Sequence, residues 1–469
     1  MFGLEDKALA ILITFGFAAN ALIIRLVAGT LLHPSALFSL IWFLYTFLPL
    51  SLLINAPVNP LAIFFILACI TSFSLSAIPF GWKHAYTKFK KNVSDTSVYS
   101  HNFNSSFMVL CLSLSSILSV FFSIWTMLIN EWSPLDIFTD LLATTGRFAA
   151  LRGNVGMEYG TIGTLGIFFT YLSSSIGGAI VYNQKRNARR LIFIILSILP
   201  GIFTMVIQSS KLVFFVSISF FVGSLLLAKL YHLDFVVIKG KYLKLFFIGA
   251  LFTFPFVLIS FISREHYREL EDFDSMISAL LFAIASYSLA EVYAFSEFFS
   301  FYVGMPSQSS FLIDYDNFGA YTFNSIYQMV GINKEFPPGL YLETGFYVDV
   351  FETNIFTVFR GLIYDFGIVG TIIFFAVFGF VINYFFYRLL TIPKHRFAGV
   401  IFIEAFVFFT VSYLISVFMA RYMYLNALGT WLIFRLNDKL TRNPYRASLE
   451  TSSSRKWGIT STDWKERRC

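Results

Sequence analysis

An all-α protein that crosses a membrane many times is the fold class this sequence predicts, and three observations predict it. Of 469 residues, 57% are hydrophobic, 19% aromatic and only 13% charged, with a mean hydropathy of +0.72. A soluble domain carries about 25% charged residues. Apolar runs recur at the ~20-residue length that a hydrocarbon core of about 30 Å demands of a helix. The period-two alternation of a transmembrane barrel is missing, and in lipid a helix satisfies its own backbone groups where an open sheet edge cannot.

The runs lie at 8–31, 36–54, 60–81, 107–129, 159–183, 191–208, 211–230, 245–263, 357–388, 398–419 and 422–436. That is about eleven crossings. The first follows Glu5, Asp6 and Lys7, with no basic flank and no cleavage-site pattern, so it reads as a retained helix and not a signal peptide. Pro34 opens the second and Pro60 the third, and Lys83, Lys88, Lys90 and Lys91 follow the third. "QKRNARR" (184–190) separates the fifth from the sixth, and "QSSK" (208–211) is the whole connection from the sixth to the seventh. Lys229, Lys239, Lys241 and Lys244 surround the next turn, and "PKHR" (393–396) separates the ninth from the tenth. These basic connections alternate, as the positive-inside rule requires, which places the N-terminus outside. The tail after Arg435 is basic and polar, and reads as a partly disordered cytoplasmic end lying on anionic headgroups. The net charge of +7 is thereby located at the membrane surface and is not a nucleic-acid signature. Cys69, Cys111 and Cys469 form no disulfide framework and no metal cluster.

One long, acidic external segment remains, at 264–356. Within it the apolar stretch 275–304 is long enough to span. A span there would turn Lys394 and Arg396 outward, so it is read as an interfacial or re-entrant helix. "NKEFPPG" (333–339) is turn chemistry, and an ordered loop of this length is usually functional.

The external basic residues are then Arg147, Arg152, Lys211, Arg264, Arg268, Lys334, Arg360 and Arg421, nearly all close to a membrane edge. Guanidinium groups at headgroup depth can hold a diphosphate bidentately; each can equally snorkel or pair with an external carboxylate. Lys211 is pinned at an outer mouth by the brevity of its turn. His266 is the external histidine, and Glu343, Asp349 and Glu352 are external carboxylates able to take a hydroxyl proton. Glu404 lies inside a span, where it needs a partner. Arg360 and Asp365, five residues apart, do not share a helix face, so each is expected to find another partner, with Tyr364 beside them. No phosphate-binding glycine loop, zinc-protease motif, nucleophile elbow or Asp-x-Asp pair competes.

The large outer loop, the Pro-Gly turn in "PPGLYLETG" and "TNIFTVFRGLIYDFGIVGT" (353–371) leading into the next helix resemble the Wzy-type polymerases of bacterial O-antigen and capsule repeat units. "QSSK" falls where relatives carry Gly-Ser-Arg or similar, with lysine in place of arginine. The resemblance implies a helical fold like that of lipid-donor (GT-C-like) glycosyltransferases. About eight helices over 1–263 would precede a periplasmic loop over 264–356, about three helices over 357–436 and a cytoplasmic tail over 437–469. It implies a multi-pass protein of the bacterial inner membrane that polymerises undecaprenyl-diphosphate-linked oligosaccharides at the periplasmic face, without metal or cofactor. Arg360, Arg264, Lys211, Arg152 and Arg421 would face the diphosphate, Glu343, His266 or Asp349 would serve as base, and Asp365 and Tyr364 would support them. Its partners would be the lipid-linked donor and acceptor, membrane lipids and a chain-length regulator. A ligase using the same donor and a flippase of the same lipid-linked glycan are the rival readings.

Overall fold

The computed structural model describes residues 3–95, 105–130, 160–184, 186–208, 210–236, 273–305, 319–332, 345–347 and 351–456, with isolated positions between them. The described residues are helical almost throughout. In order it forms α1 (Leu4–Ala28), α2 (Pro34–Leu52), α3 (Pro60–Leu75), α4 (Trp82–Asp95), α5 (Ser106–Ile129), α6 (Gly160–Val181), α7 (Asn187–Gln208) and α8 (Lys211–Tyr231). Then come α9 (Phe273–Ser288), α10 (Glu291–Tyr302), α11 (Ala320–Met329), the antiparallel hairpin β1 (Gly345–Tyr347) and β2 (Phe351–Thr353), α12 (Val358–Thr391), α13 (Arg396–Val411) and α14 (Arg421–Lys456). Seven described helices, α1, α2, α5, α6, α7, α8 and α12, are long and apolar enough to cross a membrane, and this is an all-α polytopic membrane protein. The expected crossing at 245–263 lies outside the described residues.

Two packed groups carry the fold. Helices α1, α2 and α3 pack with α12, helices α5 to α8 pack on one another, and α13 and α14 join the groups. Close approach depends on small residues. From Thr170 to Val181 every residue of α6 is buried, so this helix has neighbours on all sides. A Cβ on Gly178 would stand 2.1 Å from the Phe221 carbonyl oxygen, and one on Gly379 would stand 2.5 Å from that of Phe73. Hydroxyls link the same helices: Ser119 Oγ and Thr170 Oγ1 are 2.5 Å apart, and Ser174 Oγ donates to the Ser197 carbonyl at 2.8 Å. Without a hydrophobic drive between helices in lipid, such small and hydroxylic contacts supply the association.

The bundle has two unlike ends. At one, Arg396 donates to Asp438 through Nε and Nη2 at 2.8 and 2.7 Å, and Lys229 lies 4.0 Å from Asp234. The amphipathic α4 lies at this end, with Trp82, Ala85 and Phe89 buried and Lys83, Lys88 and Lys91 exposed. At the other end Lys7 Nζ donates to the carbonyls of Leu53 and Ala56 at 2.8 and 3.0 Å and to the Tyr293 hydroxyl. The described helices of the long segment, α9 to α11, pack on this second end.

Several elements differ from the sequence reading. The stretch 275–304 is two helices, α9 and α10, parted at Leu289 and Ala290; at 16 and 12 residues each falls short of the ~20 that a crossing needs. The run 357–388 is broken at Gly367, whose φ of 69° and ψ of 179° only glycine adopts without strain. The run 398–419 stops being α-helical at Val411, and a single 3-10 turn follows over Val417–Met419. The tail continues as helix to Lys456, with side chains described as far as Thr441.

Candidate functional site

The joints between helices gather at the end of the bundle that carries α9 to α11. The Thr357 to Phe366 arm of α12 precedes the Gly367 break, and every residue from Val358 to Asp365 is buried. Its first amide, from Val358, donates to the Ser412 carbonyl at 2.8 Å, just past the end of α13. Trp42 Nε1 donates to Ser412 Oγ at 3.0 Å, and the Tyr45 hydroxyl donates to the Thr410 carbonyl at 2.7 Å. Irregular backbone inside a membrane protein is tolerated where protein or a polar cavity surrounds it. Here the surrounding groups are aromatic rings.

Arg360 sits in the middle of them, 1% exposed. Its Cζ lies 4.1 Å from the ring centroid of Phe356, 5.0 Å from those of Phe298 and Phe311, and 5.4 Å from that of Tyr364. Nη2 donates to the Tyr364 hydroxyl at 3.1 Å. Four rings around one guanidinium keep a cation in an apolar setting through their quadrupoles, at about 0.5–2 kcal/mol for each well-placed ring. A guanidinium so held keeps its charge, and anything anionic reaching it meets a largely desolvated donor.

Asp365 finds the partner that the five-residue spacing calls for. Its two carboxylate oxygens accept from the amides of Tyr321 at 2.9 Å and Thr322 at 2.7 Å, in the first turn of α11. An anion at a helix N-terminus satisfies donors that have no partner within the helix. Gly319, at φ 71°, turns the chain into that helix, and Tyr321 stacks on Tyr364 with centroids 5.0 Å apart. Thus α10, α11 and the arm of α12 are fixed around Arg360 by one cage and one cap.

Lys211 is the first residue of α8, buried, with Nζ 4.2 Å over the ring of Tyr287 in α9. The neighbouring Ser286 Oγ accepts from the Glu352 amide of β2 at 3.0 Å, so α9 links the Lys211 turn to the strand that leads into the Arg360 arm. Arg421 opens α14 and is exposed, two residues beyond the 3-10 turn that packs on α11. Glu404 accepts from Asn426 Nδ2 at 3.4 Å within the α13 and α14 contact. Glu343, His266, Asp349, Arg264 and Arg152 lie outside the described residues. No group of three or more metal-ligating side chains occurs among the described residues.

Among the described residues, sequence reasoning missed three buried charges at this end, Lys7, Glu291 and Glu297, the last within α10. Lys7, placed by the sequence in an external N-terminal flank, is 4% exposed and ties α1 to the end of α2 and to α10. Glu291 stands at the start of α10, 2% exposed, with Oε1 lacking a hydrogen-bond partner among the described residues. Burial raises its carboxyl to about 8. The signal was present in each case, since a charge inside or within a turn of a long apolar run has to be accommodated by the fold.

Scans against protein-family models, curated proteins and solved structures each returned no match to this chain.

Proposed function

We propose that this protein transfers a glycan from a polyprenyl-diphosphate carrier to the hydroxyl of a second lipid-linked repeat unit, at the end of the bundle where Arg360 is caged. The observation that carries this is a permanently charged guanidinium held within the membrane domain where three separately jointed helical pieces meet. A departing diphosphate needs a preorganised cation in a water-poor site, and such electrostatic stabilisation commonly lowers the barrier to group transfer more than any other single effect. Arg360 is assigned to the diphosphate, Lys211 and Arg421 to its approach, and Asp365 and Tyr364 to holding the cage. The donor carries its own leaving group, so the chemistry asks for no nucleotide.

On the same reading the lysine-rich end faces the cytoplasm by the positive-inside rule, and the Arg360 end faces the periplasm of a bacterial inner membrane. The crossing count of eleven, with 245–263 among them, and the likeness to lipid-donor glycosyltransferases belong to this proposal. So do Glu343, His266 or Asp349 as base, Arg264 and Arg152 as further diphosphate contacts, and a chain-length regulator as partner.

A specific observation favours a second reading. Broken helices and buried charges are features of transporters, and the Gly367 break beside Arg360 and Asp365 fits a flippase of the same lipid-linked glycan. Glycan length on gels from cells with and without the gene separates the readings. A ladder collapsing to one repeat unit, with units still reaching the outer face, supports polymerisation. Single units trapped inside support the flippase, and long polymer left on its carrier supports a ligase. Arg360→Ala is expected to reproduce the collapse at unchanged protein level, and retained long chains would remove Arg360 from the site.

A further inference from the structure

We infer that Glu291 is the proton acceptor for the attacking hydroxyl, with the acceptor sugar bound along the face of α10 that connects Glu291 to Arg360. The inference rests on the transferase reading above. Glu291, Phe295 and Phe298 are spaced i, i+4 and i+7, which places them on one stripe of α10. That stripe faces the arm of α12: Phe295 lies 5.8 Å from the ring of Phe359, and Phe298 lies 5.0 Å from the Arg360 guanidinium. Seven residues at 1.5 Å each separate the level of Glu291 from that of Phe298 by about 10 Å. A base, an attacking oxygen, an anomeric carbon, a leaving oxygen and a phosphate-bound cation arranged in line need a separation of that order. Inverting glycosidases hold their two carboxyls about 6.5–9.5 Å apart for a comparable reason.

The surroundings of Glu291 suit a proton acceptor better than a structural anion. Two tyrosines lie within electrostatic reach of it, Tyr45 of α2 and Tyr413 just past α13, whose rings lie 4.4 Å apart. Two cations reach α10 at other residues of the helix: Lys7 meets Tyr293, and Arg360 meets Phe298. Burial among these groups leaves Glu291 neutral near pH 7, with a folded pKa of about 8. Phe295 and Phe359 fill the track in this state. The α12 arm ends on the non-helical Gly367 and α10 follows a turn at Leu289, and on this inference these two helices part to admit the sugar.

The step balances within the two substrates and one side chain. The acceptor O–H bond breaks and its proton passes to Glu291 Oε1. The oxygen forms a bond to the anomeric carbon, the bond from that carbon to the diphosphate oxygen breaks, and the electron pair leaves with the diphosphate toward Arg360. Glu291 then releases its proton to solvent.

The test uses the purified full chain in detergent micelles, with a polyprenyl-diphosphate-linked oligosaccharide as donor and acceptor. The wild-type rate is expected to rise with pH and level off above about 8. Glu291→Gln should lower kcat by about 10²–10⁴-fold with donor Kd unchanged. Glu291→Asp should retain partial activity with its pH inflection displaced. A wild-type protein that polymerises with a flat profile between pH 6 and 9, or a Glu291→Gln variant keeping more than a tenth of kcat, overturns the role of Glu291 while leaving the transferase reading intact. A wild-type protein that binds donor and forms no glycosidic bond overturns both.

Discussion

Replacing Gly367 by alanine tests whether the break in α12 is what holds the site together. The added methyl has room, since the nearest atom to a Cβ there is the Tyr302 hydroxyl at 4.0 Å. The obstacle is the backbone: φ 69° with ψ 179° is a region that non-glycine residues occupy at about 1–3 kcal/mol. Straightening α12 through this point would relieve the strain but turn Asp365 away from the amides of Tyr321 and Thr322. Either response weakens the joint. If the full penalty falls on the local opening of α11, those two amides should exchange with solvent about 5–150-fold faster. Hydrogen exchange read by mass spectrometry on peptides from 319–332 measures this. Gly367→Asn sharpens it, because asparagine relieves left-handed positions near ψ 45° and gains nothing at ψ 179°. Unchanged exchange and unchanged melting in the alanine variant would refute the idea that the break is enforced by glycine, and rescue by asparagine would refute the assigned conformation.

Asp365→Asn should lower the melting temperature by the equivalent of about 1–2 kcal/mol, because the amide keeps one acceptor and loses the charge at the α11 N-terminus; a thermal shift in detergent reads it. Gly178→Ala should prevent normal packing of α6 on α8, since its Cβ meets a backbone oxygen at 2.1 Å, whereas Gly177→Ala meets the Ser197 Oγ and Cβ and should be eased by Ser197→Gly, which removes both; yield of monodisperse protein ranks the three. Arg396→Ala should cost about 3–5 kcal/mol by stranding the buried Asp438, and a joint Arg396→Met, Asp438→Leu replacement should cost much less, as measured by melting. Glu291 binds its proton more tightly folded than unfolded, so its contribution to stability is complete below pH 4.5 and is lost as pH rises toward about 8; Glu291→Gln should flatten that part of the melting temperature against pH curve.

The membrane class was legible because it depends on composition and run length, which no tertiary contact has to supply. The seven long apolar helices follow the predicted runs closely, and the short turns at His33 and at Ser210 sit where proline and polar residues announce them. The joints were not legible. Nothing local in "GLIYDFGIVGT" separates Gly367, which breaks the helix, from Gly361 and Gly370, which do not, because the break is selected by what Asp365 caps and by what packs around Phe359 and Arg360. The division of 275–304 at Leu289 lacks a proline or glycine for the same reason. For the site, spacing sufficed to show that Arg360 and Asp365 must look to different partners. It could not show that one partner is a cage drawn from α10, Phe311 and Phe356, and the other the start of a helix more than forty residues earlier.

The two ends of the bundle hold their charges in different ways, and the difference bears on function. At the lysine-rich end, the ion pairs formed between described residues neutralise buried charge at short range, as in Arg396 with Asp438 and Lys229 with Asp234. That arrangement pairs opposite charges inside the packed bundle. At the opposite end the charge of Arg360 is surrounded by rings and that of Asp365 is met by backbone amides, while Glu291, neutral near pH 7, faces tyrosines. Rings and amides hold a charge without cancelling it, so its field remains available to whatever enters between the jointed pieces. Keeping charge in a low-dielectric setting on rings and amides costs stability. The same end carries the Gly367 break, the α9 to α10 break and the 3-10 turn after α13, so the charges and the breaks between helices coincide.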